Sequence, residues 1–402
     1  MPFPWTPFAR SRTIRDAATG PAPAARPSGG RMSIRIATFN AENLFRRPAV
    51  FGLADDGRRK EILDDFAELV ALLDRETYQE ADKERIAELI VKHGAHDPEA
   101  GGARPFLVNQ PRGGAKLYTV SPGAGPAVRI VAKGRSAWAG WAELGRDDIR
   151  WAAVENTARV IAEVDADILL TVEVEDRLTL DRFNSQVLGG AIGHDPYPFN
   201  LLVDGNDSRG IDVGILSRFP VTSVRSHIFD PGAGGKPVFS RDCPEFEVEV
   251  GGEPLWILGN HFKSKGFGRA ADNDRRRRAQ AARVREIYEA ALTRSPRVVV
   301  AGDLNDSLAS PPVRLLLDAG LSEAMTHESY GANPPGTHGT GKRDEQKLDY
   351  LLFGPELWER VTNVGVERRG IWAPRTFPSF DTVTSKADQA SDHAALFADL
   401  DV

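Results

Sequence analysis

The chain is poor in cysteine: Cys243 is the one cysteine in 402 residues. No intramolecular disulfide can form, which excludes a disulfide-framework secreted fold and a zinc site built on thiolates. An excess of positive charge is also missing. There are 51 basic and 57 acidic residues, for a net charge of −6. The chain as a whole is therefore no basic nucleic-acid binder, and a polyanion would have to meet a local patch. No apolar run approaches the roughly 18 residues of a membrane-spanning helix, so no membrane association is expected. Residues 1–31 lack the apolar stretch of a secretory leader and have no usable period. Rich in Pro, Ala and Gly, the segment 1–32 reads as disordered, and an upstream start is one explanation for residues 1–31. A cytoplasmic protein with no obligate protein partner is expected. What remains, 41% apolar and 27% charged, is an ordinary globular composition, and the length suffices for a large core.

Residues 34–39 alternate and predict a strand. Two helical stretches follow near 59–74 and 81–93, then a Gly- and Pro-rich, loop-like region from His96 to about Gly140. The segment 46–148 reads as an insertion in a domain spanning 33–402, with apolar content too thin for a core of its own. From Asp148 the pattern is regular. Helices are predicted at 149–163, 177–188 and 274–293. Strands are predicted at 167–173, 198–202, 211–217, 221–228, 245–250, 254–260, 297–302, 347–353, 361–367 and 394–400. Two strand-rich halves with interspersed helices suggest a two-sheet α/β sandwich.

Six apolar segments carry polar groups at their ends, where α/β proteins place their sites. Asn40 in TFNAEN reads, taken singly, as a turn-capping amide. Glu173 in LLTVEVE ends an apolar run, an expensive place for a carboxylate unless it is paired or holds a cation. Amide and carboxylate oxygens are the hard ligands that Mg²⁺ prefers. His261 follows in GNHFKSK. Asp303 and Asn305 in VVVAGDLND lie two apart, on one face of an extended chain. Asp349 opens KLDYLLF. Asp392 and His393 in ASDHAA are adjacent and offer one metal-facing carboxylate and one general base.

Taken in order, the six segments resemble the endonuclease/exonuclease/phosphatase superfamily, the fold of pancreatic deoxyribonuclease. The resemblance covers about 33–402 apart from 46–148. It implies a deoxyribonuclease I-like four-layer α/β sandwich, two mainly antiparallel sheets flanked by helices, and a metal-dependent phosphoester hydrolase using Mg²⁺ or Mn²⁺. By the same resemblance Glu173, Asn40 and Asp392 are on the metal side. His393 is the catalytic histidine, Asp349 its orienting carboxylate and His261 a second histidine near the leaving oxygen. Asp303 and Asn305 position the nucleophile and the scissile phosphate. Val172 departs from the glutamine that many members carry before the glutamate, which bears on hydrogen bonding around the metal ligand.

The superfamily spans nucleases, inositol-phosphate phosphatases and sphingomyelinases, so the substrate must come from local features. Residues 263–285 carry nine basic side chains, Lys263 and Lys265 among them, against two acidic ones. They read either as a polyanion patch or as a solvated helix start paired with nearby acids. Arg241, after Phe239-Ser240, resembles the arginine segment of deoxyribonucleases that touches the phosphate backbone, or is a surface arginine paired with Asp242 or Glu245. Arg209 and Asp212 are candidate substrate contacts, or parts of a turn that caps a strand. Trp138 and Trp141 are able to stack on bases but more commonly anchor such a segment. A nuclease acting on DNA is the leading expectation. A phosphatase or phosphodiesterase acting on an inositol phosphate or lipid head group is the alternative, and a catalytically inactive binding module is a third.

Overall fold

The computed structural model describes residues 32–44, 46–48, 50, 55–96, 105–110, 114–121, 127–148, 150–207, 210–266, 269–331 and 336–402. The segment expected to be disordered lies, but for Met32, outside these residues, as does Arg209. Two six-stranded sheets form the body. The first runs, in spatial order, Val361–Glu367, Ala395–Asp401, Ser33–Leu44, Ile168–Val174, Asp212–Ser217, Phe199–Leu202. The second runs Val221–Arg225, Glu245–Val250, Glu253–His261, Val298–Asp303, Asp349–Phe353, Ser322–Glu323. Each sheet is antiparallel except at its centre. There Ser33–Leu44 pairs in parallel with Ile168–Val174, and Glu253–His261 with Val298–Asp303.

The side-chain period of two decides the layering. Ile34, Ile36, Ile168, Leu170 and Val172 from the first sheet share one buried cluster with Leu255, Ile257, Val299, Ala301 and Leu351 from the second. The sheets therefore pack face to face. The alternate residues of the first sheet, Ala37, Phe39 and Leu169, pack on the helix Trp151–Val164 and on Phe183–Ile192. Those of the second, Trp256, Leu258, Val298 and Val300, pack on the helices Ala270–Leu292 and Pro311–Leu317. The result is the expected four-layer sandwich of two mainly antiparallel sheets between helices.

The segment after the first strand corrects one expectation. It contains the helices Asp56–Leu73 and Glu80–Lys92 and three short antiparallel strand pairs. Its buried apolar residues, Val50 through Leu144, form a cluster of their own. They are spread over the two helices and the short strands that follow, so no single window of sequence displays them.

Gly302 is a point where the backbone has no room. Its φ is +124°, and an added Cβ would lie 2.0 Å from the carbonyl oxygen of Asn260 on the neighbouring strand. Gly302→Ala is expected to destabilise the protein by at least about 2 kcal/mol, from strain plus overpacking. A urea midpoint equal to that of the wild type would show that the strands can part without cost.

Candidate active site

Strand parity carries the buried positions onward to the ends of the sheets. Asn40 continues the series Ile34, Ile36, Thr38, and His261 continues Leu255, Ile257, Gly259. Asp303 continues Val299, Ala301, and Asp349 precedes Leu351, Phe353. All four belong to the face between the sheets. In the second sheet His261, Asp303 and Asp349 are direct neighbours in register. Glu173 breaks the pattern, because strict alternation would turn it with Leu169 toward the helices. Its φ of +62° interrupts the strand and Val174 falls in the helix-side cluster instead. A left-handed glutamate is strained, and such residues persist where the surroundings over-determine them. Asn305, at φ +51°, is a second case in the same site.

These ends meet. The Asn40 amide Nδ2 donates to Asp303 Oδ2 at 3.1 Å and to Glu173 Oε1 at 3.4 Å, joining the two sheets. His261 Nε2 lies 3.5 Å from Glu173 Oε1 and 3.8 Å from Asp303 Oδ2. Asp303 Oδ1 accepts from the Asn305 backbone N–H at 2.8 Å, while Asn305 Nδ2 donates to Asp303 Oδ2 and to the Phe262 carbonyl, each at 3.1 Å. Asn40 Oδ1 accepts from the Glu42 N–H at 3.0 Å, so this amide turns its donor side to the carboxylates.

His393 completes the centre from the first sheet. Its Nδ1 lies 2.7 Å from Asp349 Oδ2, which also accepts from the Thr337 hydroxyl at 2.6 Å. Asp349 is fully buried. The Ser391 hydroxyl donates to the Asn40 carbonyl and accepts from the His393 N–H, tying the last segment to the first strand. Burial by itself would lower the His393 pKa. The charge and hydrogen bond of Asp349, with the charges of Asp303 and Asp392, outweigh it and hold the imidazole well above its usual value. Asp303 is pushed upward by burial, with Asp349 and Glu173 adding to the rise and His393 opposing it. Buried carboxylates that repel one another are relieved by a cation. Ligand atoms of Asp303, Asp349 and His393 lie within 4.8 Å of one another, and so do those of His338, Asp392 and His393. The hard oxygens of Glu173 and Asp303, facing a shared amide and imidazole, fit a divalent ion.

A cavity of about 710 Å³ opens over this centre. Glu173, His261, Asp303, Asn305, Asp392 and His393 line it, as do Arg241 and Lys265. Arg241 is buried, with Nε 3.1 Å from Asp207 Oδ2, and Lys265 pairs with Asp306 at 2.8 Å. Lys263 lies instead on a neighbouring groove. Asp212 does not line the cavity. It accepts from the Gly205 N–H at 2.9 Å and holds the loop under Arg241, and burial raises its pKa to about 7, helped by Asp204 and Asp207. The basic run proves to be largely ion-paired. Arg277 meets Asp274 and Asp306, Arg275 meets Asp272, Arg283 meets Asp230 and Glu286, and Arg285 meets Glu289. The reading of the whole run as a free polyanion patch is thereby corrected, since acids three and four residues away, or across the packing face, take up most of its charge.

Several residues of the site escaped the sequence reading. Glu42 accepts from the Asp392 N–H at 3.0 Å and lines the cavity. His338 stands 3.4 Å from Asp392 Oδ2, with its ring 4.8 Å from that of His393. Arg59, Arg343 and Lys386 add cations to the rim. His338 and Thr337 sit on a loop with no apolar strand to flag them. Glu42 lay inside a quoted motif with no role assigned to it.

A family model described as "Endonuclease/Exonuclease/phosphatase family" matches residues 150–393. No curated protein matches the sequence. Among solved structures, truncated TDP2 from Caenorhabditis elegans is 21% identical with a TM-score of 0.43; the match covers 62% of this chain and 90% of that one. The human Nocturnin catalytic domain with bound sulfate is 16% identical with a TM-score of 0.43, over 63% and 87%. Sphingomyelinase C from Streptomyces griseocarneus is 19% identical with a TM-score of 0.40, over 62% and 92%.

Proposed function

The chain belongs to the endonuclease/exonuclease/phosphatase family of metal-dependent phosphoester hydrolases, and from that premise we propose that it is a Mg²⁺-dependent nuclease whose substrate is DNA. The observation that carries this reading is the rim of the cavity. Arg59, Arg241, Lys265, Arg343 and Lys386 come from five separate stretches of chain and line the cavity together with the carboxylate and histidine centre, Arg241, Lys265 and Arg343 being also paired with Asp207, Asp306 and Glu345. Cations spread round a cleft suit a substrate that brings phosphates on both sides of the scissile one. The extensive pairing within the basic helix favours a second reading, a small phosphorylated substrate.

In the proposed reaction the charges of Asp303 and Asp392, which help to hold the His393 pKa up, are offset by a divalent ion, so that the neutral ring, its proton on Nδ1 against Asp349, takes the proton of the attacking water on Nε2. Asn305, fixed by Asp303 and the Phe262 carbonyl, offers a pre-oriented amide to the phosphoryl group. His261 stands beside Glu173, within reach of a leaving oxygen. A divalent ion held by Glu173 and its neighbours would neutralise charge building on the phosphoryl oxygens.

The test is digestion of supercoiled plasmid and of single-stranded DNA with Mg²⁺, with Mn²⁺ and with EDTA. Metal-dependent cleavage is expected, with affinity that falls steeply as salt rises, because phosphate contacts release counterions. Hydrolysis of a small phosphodiester without cleavage of any nucleic acid would overturn the DNA reading in favour of the small substrate.

A further inference from the structure

A second groove, of about 630 Å³, runs beside the catalytic cavity. One wall comes from the segment after the first strand, with Leu63, Phe66, Val70, Trp138 and Trp141 among its residues. The two tryptophans differ. Trp138 is buried, donates Nε1–H to the Tyr78 hydroxyl at 2.9 Å and anchors its segment. Trp141 is 53% exposed. Its Nε1–H already donates to Glu143 Oε2 at 3.2 Å, so the polar edge is engaged and the ring remains open to solvent.

The rest of the lining is of mixed charge, with Lys263, Arg269 and Arg276 beside Asp207 and Asp272, the last of these 3.8 Å from Arg269. Arg276 is unlike the arginines flanking it. It is half-buried, yet among the described residues no carboxylate lies within ion-pair distance, and its hydrogen bond is a long one, 3.5 Å to the Pro237 carbonyl. Burial pulls its pKa down, with only the more distant Asp207 opposing. A half-buried guanidinium lacking an anion is costly, and an anionic ligand offsets that cost.

The linings of the groove and the cavity adjoin at two points. Asp207 lines the groove and pairs with Arg241, which lines the cavity. Lys263 lies on the groove while the next two residues, Ser264 and Lys265, lie on the cavity.

We propose that this groove is a nucleotide subsite for the substrate strand beyond the scissile phosphate: an unpaired base lies on Trp141 and the apolar wall, and its phosphate meets Arg276 beside Lys263. The proposal rests on the nuclease reading and narrows it, because a base held in a duplex cannot present its face to a tryptophan. Single-stranded or frayed DNA is therefore the preferred substrate.

Binding of a fluorescein-labelled single-stranded oligonucleotide, followed by anisotropy, tests the assignment, with thermal melting as the check on folding. Trp141→Ala is expected to weaken binding at least about fivefold, as loss of a base stack does, and Trp141→Phe by less than about twofold. Arg276→Gln is expected to lower the slope of log affinity against log salt by about 0.7, one phosphate contact on a single strand, with the slope kept by Arg276→Lys. If the alanine variant melts early, the phenylalanine variant decides: equal weakening in both overturns the stacking. Unchanged affinity in Trp141→Ala and Arg276→Gln, while the wild type binds and cleaves the strand, overturns this inference alone. A wild type that hydrolyses a small phosphodiester but neither binds nor cleaves the oligonucleotide overturns the nuclease reading along with it.

Discussion

Replacing His393 by alanine is expected to slow hydrolysis by about 10²–10⁴-fold at saturating divalent metal, the range for a lost general base. The geometry sets the mechanism of that loss. With Nδ1 at 2.7 Å from Asp349 Oδ2, an acceptor, the neutral ring carries its proton on Nδ1 and exposes a lone pair on Nε2. The same argument makes Asp349→Asn informative. An amide can donate to Nδ1, which moves the ring proton to Nε2 and leaves no base facing the cavity. A loss comparable to that of His393→Ala is therefore expected from a nearly isosteric change, with the far-ultraviolet circular dichroism unaltered. Rates on one phosphodiester substrate, measured for wild type and both variants, decide the matter. A fall of less than threefold in His393→Ala would refute the role. An active Asp349→Asn beside a dead His393→Ala would show that burial, rather than the carboxylate, orients the ring.

Much of this site could be read from the sequence because it lies at the ends of apolar strands. The runs before His261 and Asp303 fix where the chain is buried, and the period of two carries the side chains to the face between the sheets. Register then makes neighbours of residues far apart in sequence, His261 with Asp303 and Asp303 with Asp349. Glu173 could not be oriented in that way, because its direction depends on a left-handed φ that no alternation encodes. Thr337 and His338 were invisible for a different reason. Their loop is fixed by tertiary bonds, Ala394 N–H to the Thr337 carbonyl and Gly339 N–H to the Asp392 carbonyl, and not by a local pattern. The arginine run misled through its composition. Its spacing already offered Asp272 to Arg275 and Asp274 to Arg277 at three residues, a helix-face pairing that the net charge of the window conceals.

Replacing Glu173 by glutamine is expected to reduce turnover by more than about 10²–10³-fold, since it weakens the hold on an ion that supplies several kcal/mol of charge stabilisation. The same change should leave the fold intact or strengthen it. In the metal-free protein Glu173 Oε1 and Asp303 Oδ2 face the same Asn40 amide, and Glu173 adds to the upward push on Asp303. A neutral side chain of equal length removes that repulsion. The melting temperature of Glu173→Gln in EDTA should therefore equal or exceed that of the wild type. Addition of Mg²⁺ should raise the wild-type melting temperature, as any ligand of the native state does, and should leave the variant nearly unmoved. These two scans separate a metal ligand from a structural glutamate. A structural glutamate would lower the melting temperature in EDTA when replaced and would leave the Mg²⁺ response in place. Loss of stability in EDTA together with a wild-type Mg²⁺ shift would move the ion away from Glu173, toward the cluster of His338, Asp392 and His393.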